Sequence, residues 1–180
     1  VIILELPDRK SRSVVVDTLE RVTTSDWKEY KNTSSQPLLV NLSDGSSVVL
    51  AVNSELKYPA QFDNKERSVY LKGEGFFEVT KNQDRPFVVY TSRLITKVLG
   101  TSFRIRSFSD DEIASVKVVT GKVEVKPTGL DEQQSSFQQV LLLPNEEVLV
   151  YSNEEKITNA ALMEVKTGIE IPREEELFRF

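Results

Sequence analysis

Paired carboxylates are the first residues in this chain whose types and spacing could do chemistry. Glu74 and Glu78 lie four residues apart in the segment GEGFFE, where one acid and one base could together hydrolyse a glycosidic bond. Residues four apart on a strand are about 13 Å from each other, whereas glycosidases hold their two carboxyl groups about 5 to 9.5 Å apart. We therefore interpret both glutamates as part of a solvated strand face.

A second acidic group consists of Asp110, Asp111 and Glu112, whose oxygen atoms are the ligands that calcium prefers. The run lacks the glycine and the alternate spacing of a calcium-binding loop, so we interpret it as an acidic turn. The chain has no histidine and no cysteine, which removes the usual zinc ligands, cysteine nucleophiles and any imidazole-dependent triad. The sequence therefore predicts no enzyme, with no catalytic, cofactor-binding or metal-binding residues.

A basic segment is the best candidate for a recognition surface. Five cations and no acid lie between residues 85 and 106, in a chain whose formal net charge is -5. Arg104 and Arg106 share a strand face, on which they could form bidentate hydrogen bonds with the carboxylates of a partner. The alternative is that these cations pair with the chain's own acids. The predicted partner-binding residues are Arg93, Lys97, Arg104 and Arg106.

The overall charge excludes other classes of partner. With 23 basic and 28 acidic residues, the whole chain has no general attraction for nucleic acid or anionic lipid. No run approaches the roughly 20 apolar residues that span a bilayer, and the N-terminus lacks the pattern of a signal peptide. Because the chain begins with Val1, we expect it to be a piece of a longer product.

Short strands are the elements that must position these residues. Apolar and polar residues alternate from 69 to 79, and Gly73 and Gly75 interrupt the apolar face, which predicts a bulge or the close approach of another segment. Asp44 and Gly45 separate two further alternating runs and predict a tight hairpin turn. The residues expected at structural turns or close contacts are Asp44, Gly45, Gly73, Gly75, Gly100 and Gly121.

Seven or more short strands, about ten residues apart with turn residues between them, predict an all-β fold. The expected form is an antiparallel two-sheet sandwich or a jelly-roll-like domain with little helix. Trp27 is expected to be a buried core residue. We expect a long polar loop over residues 127 to 139, and the tail is compatible with a helical turn over residues 160 to 165.

Three segments in order, GEGFFEV, RPFVV and VLGTSFRI, resemble the core of the FecR family. The run LSDGSSVVLAVNSELKYP at residues 42 to 59 is similar to the turn and strand that precede that core. The resemblance covers residues 38 to 126 and thins to a trace over 143 to 152. Ser43, Val49 and Gly75 stand where the family usually has proline, tryptophan and alanine, and all three are consistent with β structure.

The resemblance implies the periplasmic domain of an inner-membrane anti-sigma factor from a Gram-negative bacterium. Members of this family relay the state of an outer-membrane TonB-dependent receptor, through the periplasmic signalling domain of that receptor, to an extracytoplasmic-function sigma factor that controls transcription. The sigma-binding cytoplasmic segment and the membrane helix are absent from this sequence. The implied organisation has N-terminal strands and a linker after a removed membrane segment at 1–35, the FecR-like β domain at 36–158, and an extension toward a missing module at 159–180.

A carbohydrate-binding or surface-structural β-sandwich module is the alternative, because the strand pattern alone allows it equally well. A glycan site needs several aromatic side chains on one exposed face, where they can stack on sugar rings. The one Trp and five Tyr are scattered among segments that we expect in the core, so the sequence does not have that signature.

Overall fold

The computed structural model describes residues 26–128, 139–151 and 163–168. These residues form thirteen strands and no helix. The predictions for residues 1–25, for most of the loop at 127–139 and for the end of the tail lie outside the described residues. The strands are β1 (Trp27–Lys31), β2 (Leu38–Asn41), β3 (Ser47–Leu50), β4 (Glu55–Pro59), β5 (Arg67–Glu78), β6 (Phe87–Tyr90), β7 (Leu94–Val98), β8 (Ser102–Ser107), β9 (Ile113–Thr120), β10 (Val123–Pro127), β11 (Val140–Leu142), β12 (Glu147–Tyr151) and β13 (Met163–Lys166).

Strand β5 has 12 residues and belongs to both halves of the sheet. Its first half pairs with β4 and β6, and its second half pairs with β3 and β8. All thirteen strands therefore form one sheet, which is curled into a half-barrel. One end runs from β5 through β6, β7 and β10 to β11, and the other through β8, β9 and β12 to β13.

The prediction of an all-β fold is confirmed, but the sheet is not clearly an antiparallel two-sheet sandwich. β5 and β6 run parallel, so the sheet is mixed. After the second half of β5, residues 79–86 lead the chain back to the level of the start of β5. Strand β6 therefore begins beside the first residues of β5 and runs in the same direction. The predicted helical turn is wrong for residues 163–165, which lie in β13 and pair with β12, whereas residues 160–162 are outside the described residues.

One hydrophobic core lies inside the curled sheet. The apolar face predicted for the segment from 69 to 79 points into it, and Val69 and Phe77 are both 0% exposed. Phe77 stacks on Phe103 with ring centroids 5.2 Å apart and meets Phe87 edge-on at 6.3 Å. Since burying a phenylalanine contributes about 1.5 to 3 kcal/mol, these contacts join β5, β6 and β8 firmly.

The predicted Asp44–Gly45 turn joins β2 and β3, which pair antiparallel. Its anchor is Arg67, a buried arginine that the sequence pattern does not indicate. Arg67 Nη1 donates to Asp44 Oδ2 at 2.6 Å and to the Thr80 carbonyl oxygen at 2.9 Å, and Arg67 Nε donates to the Arg85 carbonyl oxygen at 3.0 Å. One guanidinium group thus holds together the β2–β3 turn and the segment between β5 and β6.

Candidate functional site

Two of the predicted partner-binding residues lie beside a buried carboxylate of the same chain. Glu74 and Arg106 are opposite each other in the β5–β8 pairing. Arg106 Nη1 donates to Glu74 Oε2 at 2.9 Å, and the Arg104 guanidinium pairs with Glu74 Oε1. Glu74 is only 1% exposed, so the expectation that it lies on a solvated face is wrong, because two arginine side chains cover it. Glu78 is exposed as expected.

The same group of charges extends to the loop after β8. Arg106 Nη2 lies 2.9 Å from Asp111 Oδ2, and its guanidinium carbon lies 4.7 Å from the centre of the Phe108 ring. Arg93 donates to the carbonyl oxygens of Ser109 and Asp111. Arg106 thus joins Glu74 to this loop, Arg104 pairs with Glu74, and Arg93 holds the backbone of the loop.

Lys97 lies apart from this group. It is exposed on β7, opposite Val88 of β6 and Glu124 of β10. The four predicted residues thus lie on two parts of the sheet. Arg104 and Arg106 pair with acids of the same chain, which is the alternative to partner binding that the sequence left open. A role for the four in partner binding stays a prediction.

Gly73 positions Glu74. Its φ is 96°, and a Cβ atom at this position would lie 2.4 Å from Ser54 Oγ and 2.9 Å from Phe108 Cε1. Ser54 Oγ accepts a hydrogen bond from the Glu74 backbone N–H at 2.8 Å. A side chain at position 73 would push Ser54 away and break this hydrogen bond. Glycine is therefore required at this point of β5, next to the glutamate whose carboxylate lies under Arg104 and Arg106.

A second feature, an aromatic row on the outward face of the sheet, was missed in the sequence. The row consists of Trp27 on β1, Tyr70 on β5 and Tyr90 on β6. The Trp27 and Tyr70 ring centroids are 5.6 Å apart and those of Tyr70 and Tyr90 are 5.3 Å apart. Trp27 is 43% exposed and Tyr70 is 47% exposed, so the expectation of a buried Trp27 is wrong.

The register explains why Trp27 faces outward. Trp27 pairs with Pro59, and Tyr30 pairs with Leu56. Tyr30 lies on the same face as its partner Leu56, which is buried. Because side chains alternate along a strand, Trp27, three residues before Tyr30, lies on the opposite face and points outward. The sequence did contain one signal, since Tyr70 falls on the polar face of the β5 alternation.

Two clefts lined with charged residues flank the aromatic row. The larger has a volume of about 380 Å³ and the smaller about 180 Å³. Burial, followed by the charge of Glu66, raises the pKa of Tyr90 above its ordinary value. The larger cleft is lined by Glu29, Glu55, Lys57, Tyr70 and Lys72, and the smaller by Glu66, Val88, Tyr90, Ile95, Lys97, Glu124 and Lys126.

Side chains that could ligate a metal ion do not cluster in the described parts of the chain. No group of three or more His, Cys, Asp or Glu side chains there is arranged to hold a metal ion. Within the same residues, no helix has the length and apolar character needed to cross a membrane.

The model of the FecR protein family matches residues 29–124. This chain belongs to the FecR family. The FecR match begins within β1 and ends within β10, so it includes the hairpin, β5 and the strands that carry the basic residues. No curated protein matches the chain at a significant level.

Two crystal structures of a candidate anti-sigma factor from Parabacteroides distasonis ATCC 8503 are similar to this FecR-family chain. Each is 31% identical in sequence with a TM-score of 0.68, and each match covers 79% of this chain. The chain spans only 61% and 60% of the length of those two chains.

Proposed function

We propose that this chain is the periplasmic signalling domain of a transmembrane anti-sigma factor. It relays the state of an outer-membrane TonB-dependent receptor to an extracytoplasmic-function sigma factor and so controls transcription. The observation that carries this proposal is the FecR match over residues 29–124, which is the region built around β5. The similar structures of a candidate anti-sigma factor support it further.

A relay of this kind needs a rigid scaffold and a surface whose affinity for the receptor differs between receptor states. Three features support rigidity: the continuous strand β5, the single core, and the buried carboxylate of Glu74 held by two arginines. The loop after β8 is tied to the sheet by Arg93 and Arg106. A change at one edge of such a sheet is transmitted through packed strands rather than absorbed locally.

Lys97 offers the cleanest test of the predicted partner-binding residues. Its side chain is exposed, whereas a change at Arg104 or Arg106 would remove one of the two arginines that pair with the buried carboxylate of Glu74. We expect Lys97→Glu to weaken the receptor contact by reversing one charge at the surface. Lys166→Glu is the matched control, because Lys166 is an exposed lysine at the far end of the sheet on β13.

A reporter assay in cells tests the proposal. The full-length protein is expressed with its sigma factor and receptor, and a sigma-dependent promoter drives the reporter. We expect the promoter to respond to the receptor's ligand with the intact protein, to lose that response when residues 26–151 are deleted, and to respond more weakly with Lys97→Glu than with Lys166→Glu. A response that is unchanged by the deletion would contradict the proposal.

The carbohydrate-binding alternative gains one feature, since the aromatic row does place three rings on one face. The rings contact one another, however, with interplanar angles of 57° and 25°. Rings that pack on each other offer less open ring surface for a sugar than separate, coplanar rings do. The geometry therefore favours a protein-binding function.

A further inference from the structure

Arg106 lies between a buried acid of β5 and an exposed acid of the loop after β8. We infer that its guanidinium group is a binding site for an acidic peptide, and that Asp111 of the same chain competes with the peptide for this site. The inference does not rest on the proposed function, because it concerns only what the exposed side of Arg106 binds. It narrows the predicted partner-binding residues to one arginine whose local contacts define a site.

The two sides of the Arg106 guanidinium bind carboxylates of different exposure. Nη1 donates to Glu74 Oε2 at 2.9 Å, and Nη2 lies 2.9 Å from Asp111 Oδ2. The Glu74 side chain is 1% exposed, whereas the Asp111 side chain is 31% exposed. Breaking a buried ion pair leaves a buried charge uncompensated, but an exposed ion pair is weak. The contact with Glu74 is therefore permanent, and the contact with Asp111 can be exchanged for another carboxylate.

The Arg106 side chain is held in position for this exchange. Its guanidinium carbon lies 4.7 Å from the centre of the Phe108 ring. Gly73 leaves room for that ring, since a Cβ atom at position 73 would lie 2.9 Å from Phe108 Cε1. The ring and Glu74 thus hold the arginine without help from Asp111. A guanidinium group that is fixed beforehand loses less conformational entropy when it binds a carboxylate.

The charge balance around Arg106 selects an acidic occupant. Arg104 and Arg106 bring two positive charges to the single carboxylate of Glu74. Asp111 supplies the second negative charge. On β9, Arg106 is opposite Ser115 and not an acid, so Asp111 is its one exposed carboxylate within the residues that the structure describes. A group that displaces Asp111 must be negative, because a neutral group would leave one positive charge uncompensated.

Arg93 keeps the loop in place when the Asp111 side chain leaves. Its Nη2 donates to the carbonyl oxygens of Ser109 and Asp111, and these hydrogen bonds involve only the backbone of the loop. Its Nη1 is buried and has no hydrogen-bond partner in the described part of the chain. The Asp111 carboxylate can therefore leave Arg106 without unfolding of the loop. A second cation then remains beside the site and favours a negative occupant.

A peptide with several acidic residues fits this site better than a free small anion does. Asp111 is tethered beside Arg106, so its effective concentration at the guanidinium is in the millimolar range or higher. A single inorganic anion makes one contact and competes poorly with a tethered carboxylate. A run of acidic side chains presents several carboxylates to the same arginine, and its total charge is attracted by Arg93 and Arg104 as well.

NMR titration of the ¹⁵N-labelled 180-residue chain with a hexa-aspartate peptide tests the inference, with the backbone amides of residues 106–112 as the readout. We expect Asp111→Asn to lower the dissociation constant about two- to fivefold, because the internal competitor is removed. Glu112→Gln is the matched control. It removes the same charge from the next residue, which is exposed, and should lower the constant less than about 1.5-fold.

Arg106→Gln is expected to raise the dissociation constant at least fivefold, and its amide can still donate to Glu74. Thermal unfolding verifies that each variant is folded. Should Arg106→Gln not fold, the comparison of Asp111→Asn with Glu112→Gln decides alone. Equal constants for these two variants would overturn the inference, as would absence of peptide binding by every variant. Tighter binding of inorganic phosphate but not of the peptide by Asp111→Asn would also overturn it, in favour of a small-anion site.

Discussion

At the scale of single residues, Glu74 binds two arginines of the predicted recognition surface, so these arginines stabilise the fold. We predict that Glu74→Gln lowers the free energy of unfolding by about 2 to 3 kcal/mol, because two guanidinium groups lose the carboxylate that they surround. Urea denaturation measures the change. Glu78→Gln on the same strand is the control and should cost less than about 0.5 kcal/mol, since Glu78 is exposed. Equal costs at the two positions would refute this role of Glu74.

Tyr58 gives the fold a dependence on alkaline pH. Burial, together with a hydrogen bond and the charge of Tyr30, raises the pKa of Tyr58 to about 12 from 10.0. Above pH 10 the unfolded chain loses this proton while the folded chain keeps it, so stability should fall by up to about 1.4 kcal/mol per pH unit until pH 12. Below pH 10 both states keep the proton and this residue contributes no pH dependence.

Tyr58→Phe tests that prediction, because phenylalanine keeps the ring that stacks on Tyr30 at 5.9 Å but has no proton to lose. The free energy of unfolding, measured by urea denaturation from pH 8 to 12, should fall less steeply above pH 10 in the variant. Parallel curves for the two proteins would show that Tyr58 does not titrate in this way.

At the scale of elements, the strand alternation and the turn residues could be predicted because both are local. The period of two places Val69 and Phe77 in the core, and the Asp-Gly pair predicts the hairpin of β2 and β3. The partners of Glu74 could not be predicted in the same way. Arg106 is 32 residues away in sequence, and only the β5–β8 register brings it to the carboxylate.

The orientation of Trp27 and the parallel β5–β6 pair have the same explanation. Composition favours burial of a lone tryptophan, but β1 lies at an edge of the sheet and its register with β4 turns Trp27 outward. No residue pattern within residues 67–90 predicts that β6 pairs with the first half of β5 rather than with the second half. Both features depend on which strands pair, which is decided by packing across the whole sheet.

Gly73 gives a prediction at the level of strand β5. Gly73→Ala should destabilise the protein by about 3 kcal/mol or more, because its φ of 96° is unfavourable for alanine and the new methyl group overlaps Ser54 and Phe108. Gly168→Ala is the matched control: its φ is also positive, at 71°, but nothing lies within 4 Å, so only the backbone cost of about 1 to 2 kcal/mol applies. Thermal unfolding measures both, and equal shifts would contradict a contact role for Gly73.

At the scale of the whole molecule, β5 connects two outward faces with different character. One carries the arginines around Glu74, and the other carries the aromatic row and Lys97. A charge reversal of both arginines, Arg104→Glu and Arg106→Glu, would place four carboxylates together, including those of Glu74 and Asp111. It is expected to unfold the chain, so it cannot test partner binding. Variants of exposed residues such as Lys97 avoid this problem.

The most direct test of the proposed function is calorimetric titration of this chain with the proposed partner, the periplasmic signalling domain of a TonB-dependent receptor from the same organism. We predict binding with a dissociation constant in the micromolar range. Lys97→Glu should raise this constant, and Lys166→Glu should leave it unchanged. Absence of binding both by this chain and by the full-length gene product would contradict the account.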